Sequence, residues 1–146
     1  MFRGSSPAKI DEKGRLKVPT PFRAVLEERW GSEVFATSVH GDSALIYPLP
    51  VWEEIEARLA GVPSTHRPKM RYLERVNYFG QQTRLDAQGR IVVPQILRDS
   101  AEIVGEVVVT GHLNHLVVWN RERFEVKLAR DTFTEEDFGA LSELGI

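Results

Sequence analysis

The chain has 146 residues, 42% of them hydrophobic and 27% charged, with a formal charge of −2, the profile of one ordinary globular domain or two very small ones. No run approaches the roughly 20 apolar residues of a membrane span, and the opening MFRGSSPAKI lacks the apolar stretch of a secretory leader. The absence of cysteine excludes disulfide staples and thiolate zinc sites and suits a cytoplasmic protein.

The first predicted strand, Ala8–Ile10, runs into DEKGRLKVP, residues 11–19. A tight turn there needs the positive φ that Gly14 supplies, and Asp11 can bond its own backbone. A second strand, Arg15–Val18, leaves the turn. Val18-Pro19-Thr20-Pro21 then predicts a helix capped by Thr20, with Pro21 at its first position. That helix runs through FRAVLEERW and stops at Gly31. Strands EVFATSV and ALIYP follow, turned at GDS, and PVWEEIEARLAG forms a helix after Pro50. These elements make a first unit, residues 5–61.

Residues 62–79 form a basic, aromatic linker with a helix starting at Pro68. Met70, Leu73, Val76 and Tyr78 or Phe79 are spaced for one apolar face. The grammar then repeats over residues 80–130. Strand Gln82–Leu85 enters DAQGRIVVP, residues 86–94, where Asp86 and Gly89 form the turn, and strand Arg90–Val93 leaves it. Helix QILRDSAEI stops near Gly105. Strands EVVVTG and LVVW are turned at LNH, and Asn120 caps helix RERFEVKLAR. Residues 131–146 are an acidic C-terminal helix capped by Thr134, with Glu135 and Glu136 in its first turn.

The two nine-residue turns share Asp, Gly, Arg, Val and Pro at identical offsets. The correspondence extends downstream. Arg23 matches Arg98, Gly31 matches Gly105, Val34 matches Val107, His40 matches His112, Tyr47 matches Trp119, and Trp52 matches Phe124. Matched aromatics so far from the turn mark a tandem repeat. A unit of about 50 residues buries too little apolar surface to stand alone. The two are expected to pack as a pseudo-dimer, with self-association covering what remains.

Charge is polarised along the chain. Arg3, Lys9, Lys13, Arg15 and Lys17 face only Asp11 and Glu12 in the first 20 residues, whereas acids outnumber bases from Arg121 onward. Arginine pairs well with the guanine edge, and a β-ribbon fits the major groove. Arg15 and Arg90 are therefore the candidate base contacts. Lys13, Lys17, Lys9 and Arg3 flank the first turn as phosphate contacts, and Arg84 serves near the second. The competing reading is an ordinary hairpin turn with its arginine solvated or paired to its aspartate. The duplication weighs against it.

Other chemistry is poorly supported. His112 and His115 lack an adjacent third ligand. The three tryptophans have apolar neighbours and are expected in cores or between chains. No phosphate loop or nucleophile elbow occurs. No catalytic residue, metal or cofactor is expected. An assembly module that does not bind DNA is the rival class, motivated by the acidic half; a metal-dependent hydrolase is a third.

MFRG, DEKGRLKVP with Arg23, and DAQGRIVVPQILR resemble the MraZ family, over residues 2 to about 130. These are bacterial transcriptional regulators of two AbrB-like (SpoVT–AbrB) swapped-hairpin units. The resemblance implies an α+β, mainly β fold: a tandem AbrB-like swapped-hairpin barrel with pseudo-twofold symmetry and flanking helices. It also implies a homo-oligomeric ring that binds direct repeats in double-stranded promoter DNA of the division and cell-wall gene cluster. Repression, a nucleoid-associated cytoplasmic location, no membrane partner and no catalysis come with that expectation.

Overall fold

Alternation of apolar and polar residues sets the strands. In β1 (Ser5–Ile10) every second side chain turns inward, ending on buried Ile10. In β2 (Arg15–Lys17) and β6 (Arg90–Val92), buried Leu16 and Ile91 each sit between two outward residues. The computed structural model describes residues 1–146. Its other elements are α1 (Thr20–Arg29), β3 (Glu33–Thr37), β4 (Ala44–Pro48), α2 (Leu49–Ala60), α3 (Arg67–Tyr78), β5 (Gln81–Arg84), α4 (Gln95–Ala101), β7 (Gly105–His112), β8 (His115–Asn120), α5 (Arg121–Arg130) and α6 (Glu135–Ser142). No helix is long and apolar enough to cross a membrane.

The strands form one antiparallel sheet in the order β5-β3-β4-β8-β7-β1-β2-β6. Its end strands, β5 and β6, are joined through the second turn, so the sheet nearly closes on itself. The repeats interlock rather than sit side by side. β1 pairs with β7, and its counterpart β5 pairs with β3. Two pairs join like to like, β2 with β6 and β4 with β8, and these mark the pseudo-twofold axis. The register confirms the repeat. Phe35 lies opposite Tyr47, as Val108 lies opposite Trp119. The fold is mixed α and β, mainly β, as a tandem swapped-hairpin barrel requires. Val34, Ala36, Val93, Leu97, Ile103, Val107 and Val118 are fully enclosed in a core drawn from both repeats.

Helix ends differ from the sequence expectation. Pro19, not Thr20, occupies the cap of α1, and no side chain caps it. Proline at that site lets the chain turn from strand to helix without leaving an amide unsatisfied. The same substitution recurs at Pro48 and Pro94, so α2 begins one residue before Pro50. α4 stops at Ala101, with Glu102 in a left-handed cap (φ 53°). It ends short of Gly105 because Ile103 must enter the core. α3 begins at Arg67, with His66 Nδ1 accepting the Lys69 amide at 3.2 Å. Its inward face is Tyr72, Val76 and Phe79; Met70 and Tyr78 are exposed. The predicted caps at Asn120 and Thr134 are both formed, the latter with Asp137 as the reciprocal partner.

The N-terminus is laid across β7. Phe2 is buried against Phe22 and Trp30, and its amide donates to the Leu113 carbonyl at 2.7 Å. The chain passes so close that a β-carbon on Gly111 would lie 2.6 Å from the Phe2 backbone and 2.7 Å from the Arg3 nitrogen. Backbone cannot swing aside as a side-chain tip can. Gly111→Ala is expected to cost about 2 kcal/mol of stability, measured as a lower urea midpoint.

His112 and His115 face each other across the β7–β8 ladder, ring centroids 5.7 Å apart. His115 stacks on Tyr47 at 4.4 Å. Burial first, and then the neighbouring charge of His112, push its pKa from 6.5 down to about 4. The unfolded chain therefore binds the proton more readily. This contribution is complete above pH about 6.5 and is lost as pH falls through about 4. His115→Phe, which cannot charge, should lose roughly 1–2 kcal/mol less than wild type between pH 7 and pH 4, allowing for partial solvent screening. Urea titrations at the two pH values check it.

Candidate nucleic-acid interface

Each turn is built by its aspartate. Asp11 Oδ1 accepts the amides of Lys13 (3.0 Å) and Arg15 (2.9 Å), while Oδ2 accepts Arg15 Nε at 2.7 Å. Asp86 repeats the pattern with Gln88 (2.8 Å), the Arg90 amide (2.9 Å) and Arg90 Nε (3.0 Å). These amide and guanidinium donors hold both carboxyls below the usual aspartate range, with the backbone bond from the arginine the largest cause. Gly14 and Gly89 take φ of 81° and 76°, the left-handed region the turn needs.

The pairing of arginine with aspartate, expected under the ordinary-turn reading, is therefore present. It engages only Nε. The terminal nitrogens of Arg15 and Arg90 have no protein partner. A guanidinium fixed by Nε still offers its NH1/NH2 end as a two-pronged donor. The ion pair aims the fork and leaves its tip available.

The sheet brings the two turns together although 75 residues separate them. In the β2–β6 ladder Arg15 lies opposite Val92 and Lys17 opposite Arg90. Leu16 and Ile91 face the core. Arg15, Lys17 and Arg90 thus share the outer face, with Arg15 and Arg90 diagonal neighbours roughly 8 Å apart at the backbone. Each turn is locked to the other strand pair: the Val18 amide donates to Gly89 O at 2.9 Å and the Val93 amide to Gly14 O at 2.8 Å. Lys13 stands exposed beside Arg15; its counterpart is Gln88.

Two further arginines belong to this face. Arg98 of α4 packs over the first turn, so that a β-carbon on Gly14 would lie 2.5 Å from its Nε. Arg23 of α1 covers Gly89 in the same way, its NH1 2.8 Å from such a β-carbon. Each repeat therefore braces the other's turn. Arg98 Nε donates to Val93 O at 2.9 Å and Arg23 Nε to Glu27 at 2.6 Å. Sequence reasoning matched this pair but did not assign it to the site. Its equivalence in the repeat was the available signal.

The remaining candidates scatter. Lys9 is exposed on β1, two residues before the turn, opposite Glu106. Arg84 is its symmetry mate, opposite Glu33 and bonded to it at 2.9 Å. Its charge is thus partly neutralised. Arg3 does not flank the first turn. It stands at the other end of β1, about 25 Å of extended chain from Asp11, because Phe2 anchors that end in the core. Arg67, Arg71 and Arg75 are exposed on α3. No group of three metal-ligating side chains forms.

A pseudo-twofold barrel of two interlocked hairpin repeats, with a glycine–arginine turn from each repeat on one exposed ladder, defines the swapped-hairpin class. The model of the MraZ protein family matches residues 1–75 and 80–142. Relatives named "Transcriptional regulator MraZ" include those of Acidobacterium capsulatum, 47% identical over the full length of both chains, and Koribacter versatilis, 45% identical, also over both full lengths. The Escherichia coli protein of that name is 33% identical over 98% of this chain and 95% of its own. The chain belongs to the MraZ family. The relatives' shared name is a regulator's and not an enzyme's.

Proposed function

We propose that this chain is a sequence-specific DNA-binding transcriptional regulator, acting as a repressor. A multimer binds direct repeats in promoter DNA of the division and cell-wall gene cluster. Arg15 and Arg90 read guanine edges, while Lys13, Lys17 and Lys9 neutralise phosphates. The observation that carries this reading is the convergence of two arginine turns on one two-stranded ladder. Each arginine is held by Nε, with its donor tip unpartnered. A two-stranded ribbon enters the major groove, where paired donors recognise O6 and N7 of guanine.

The net charge of −2 is compatible with this, because Arg15, Lys17 and Arg90 share one outer face beside Lys13, while residues 131–146 carry acids and no base. One pair of turns offers a small footprint. Several copies on repeated sites gain avidity without new contacts. Titrating a labelled fragment carrying the direct repeats, against a scrambled control, tests the reading. Tight binding that weakens steeply with salt supports it. Equal affinity for the scrambled fragment contradicts it and favours the assembly-module alternative.

A further inference from the structure

The two ends of the barrel are built alike but filled differently. At the first, Phe35 and Tyr47 pack on buried Trp52 at 4.7 and 5.2 Å, and Tyr72 of α3 closes over it at 6.4 Å. His115, from the other repeat's hairpin, stacks on the outer side of Tyr47. At the second, Val108 stands where Phe35 stood, and Trp119 has one aromatic partner, Phe124, at 5.9 Å. Ser43 and Asp42 occupy the positions equivalent to His115 and Asn114. No helix corresponding to α3 covers Trp119. What is left is an open groove of about 600 Å³ along α5.

The groove wall on α5 carries Arg123, Lys127 and Arg130, with Trp119 and Val126 among them. Lys127 Nζ lies 5.8 Å over the Trp119 ring. Asp42, Glu102 and Glu122 also line it, so its acids and bases balance and the bases lie on α5; what it lacks is an apolar lid. The same chain presents a matching segment. α6 begins with Glu135, Glu136 and Asp137 and buries no residue. Phe138 is 57% exposed, in edge contact only with Phe133.

We propose that this groove receives the α6 segment of a second copy of the chain. Phe138 would supply the aromatic lid that Tyr72 supplies at the first end, and the α6 acids would face the α5 bases. Both surfaces stand bare in one molecule, so exchange between copies covers both without altering either. The proposal rests on the multimer part of the function above and not on its DNA part.

The absence of cysteine allows a clean cross-linking test. Val126→Cys and Ser142→Cys chains, the latter keeping Phe138, are mixed, oxidised and resolved on a non-reducing gel. The expected result is disulfide pairing between the two variants well above that of either alone. Lys127→Glu in the groove chain should lower the yield about fivefold, and Glu136→Lys in the helix chain should restore it. Pairing no better than self-pairing overturns the proposal. So does a doubly substituted chain that closes on itself as a fast-migrating monomer. Light scattering on wild type separates the failures: a multimer without cross-pairing overturns only this interface, whereas a monomer overturns the multimer reading as well.

Discussion

Arg15→Ala is expected to abolish the preference for repeat-bearing promoter DNA and to weaken its binding tenfold or more, since a two-pronged arginine–guanine pair contributes about 1–3 kcal/mol and recurs in every copy of a multimer. Residual binding should be sequence-blind and should keep a shallower salt dependence, because Lys13 and Lys17 remain to meet phosphates. Arg90→Ala should do less. Its turn carries Gln88 in place of Lys13, and the Arg90 side chain is 26% exposed against 35% for Arg15. Asp11→Asn separates aiming from charge. It leaves Arg15 in place but replaces the carboxylate that fixes Nε and two amides. If Arg15 acts as an aimed fork, Asp11→Asn loses selectivity even though the face becomes more positive. If it acts only as a cation, Asp11→Asn binds more tightly. Fluorescence anisotropy at several salt concentrations reads all three variants, and an Arg15→Ala chain as selective as wild type would sink the assignment.

The turns were legible because their chemistry is local. Asp11, Gly14 and Arg15 interact within five residues, and the copy at Asp86 shows that the pattern is no accident of composition. Strand positions around Leu16, Ile91 and Val107 followed from the turns and the prolines and glycines that bound them. What the residues alone could not supply is the partner of each strand. β1 and β5 carry few apolar side chains, and nothing in SSPAKI says that β7 will flank it. The interlocking was an expectation from family resemblance, and the register is what established it. The cross-bracing by Arg23 and Arg98 was hidden for the same reason. Each acts on a turn from the opposite repeat, so no spacing within a repeat reports it. Arg3 was misplaced by counting charges along the sequence, when β1 is extended and carries it away from the turn. In α3, periodicity grouped Met70, Leu73, Val76 and Tyr78 or Phe79 on one face. Tertiary packing turned inward the face where Tyr72 reaches Trp52 and where Val76 is enclosed, its carbonyl accepting the Thr37 hydroxyl at 2.6 Å.

Trp52→Ala is expected to lower stability by about 4 kcal/mol, the cost of removing a large enclosed aromatic whose surroundings collapse only in part. Trp52 is 3% exposed. Its ring joins β3 through Phe35, β4 through Tyr47 and α3 through Tyr72, so its loss opens a void among three elements at once. The matching melting temperature should fall by about 10 °C. The equivalent change in the other repeat, Phe124→Ala, should cost only about 1 kcal/mol, because Phe124 is half-buried and pairs with one ring, Trp119, where Trp52 pairs with three. The contrast tests the asymmetry of the barrel ends directly. Equal losses at the two positions would mean that the second end is as well filled in solution as the first. Trp52→Phe keeps a ring for Phe35 and Tyr47 but shortens the reach to Tyr72, so it should recover more than half of the loss. Thermal unfolding followed by far-ultraviolet circular dichroism, at one protein concentration throughout, reads all three, because a self-associating chain gains apparent stability by mass action.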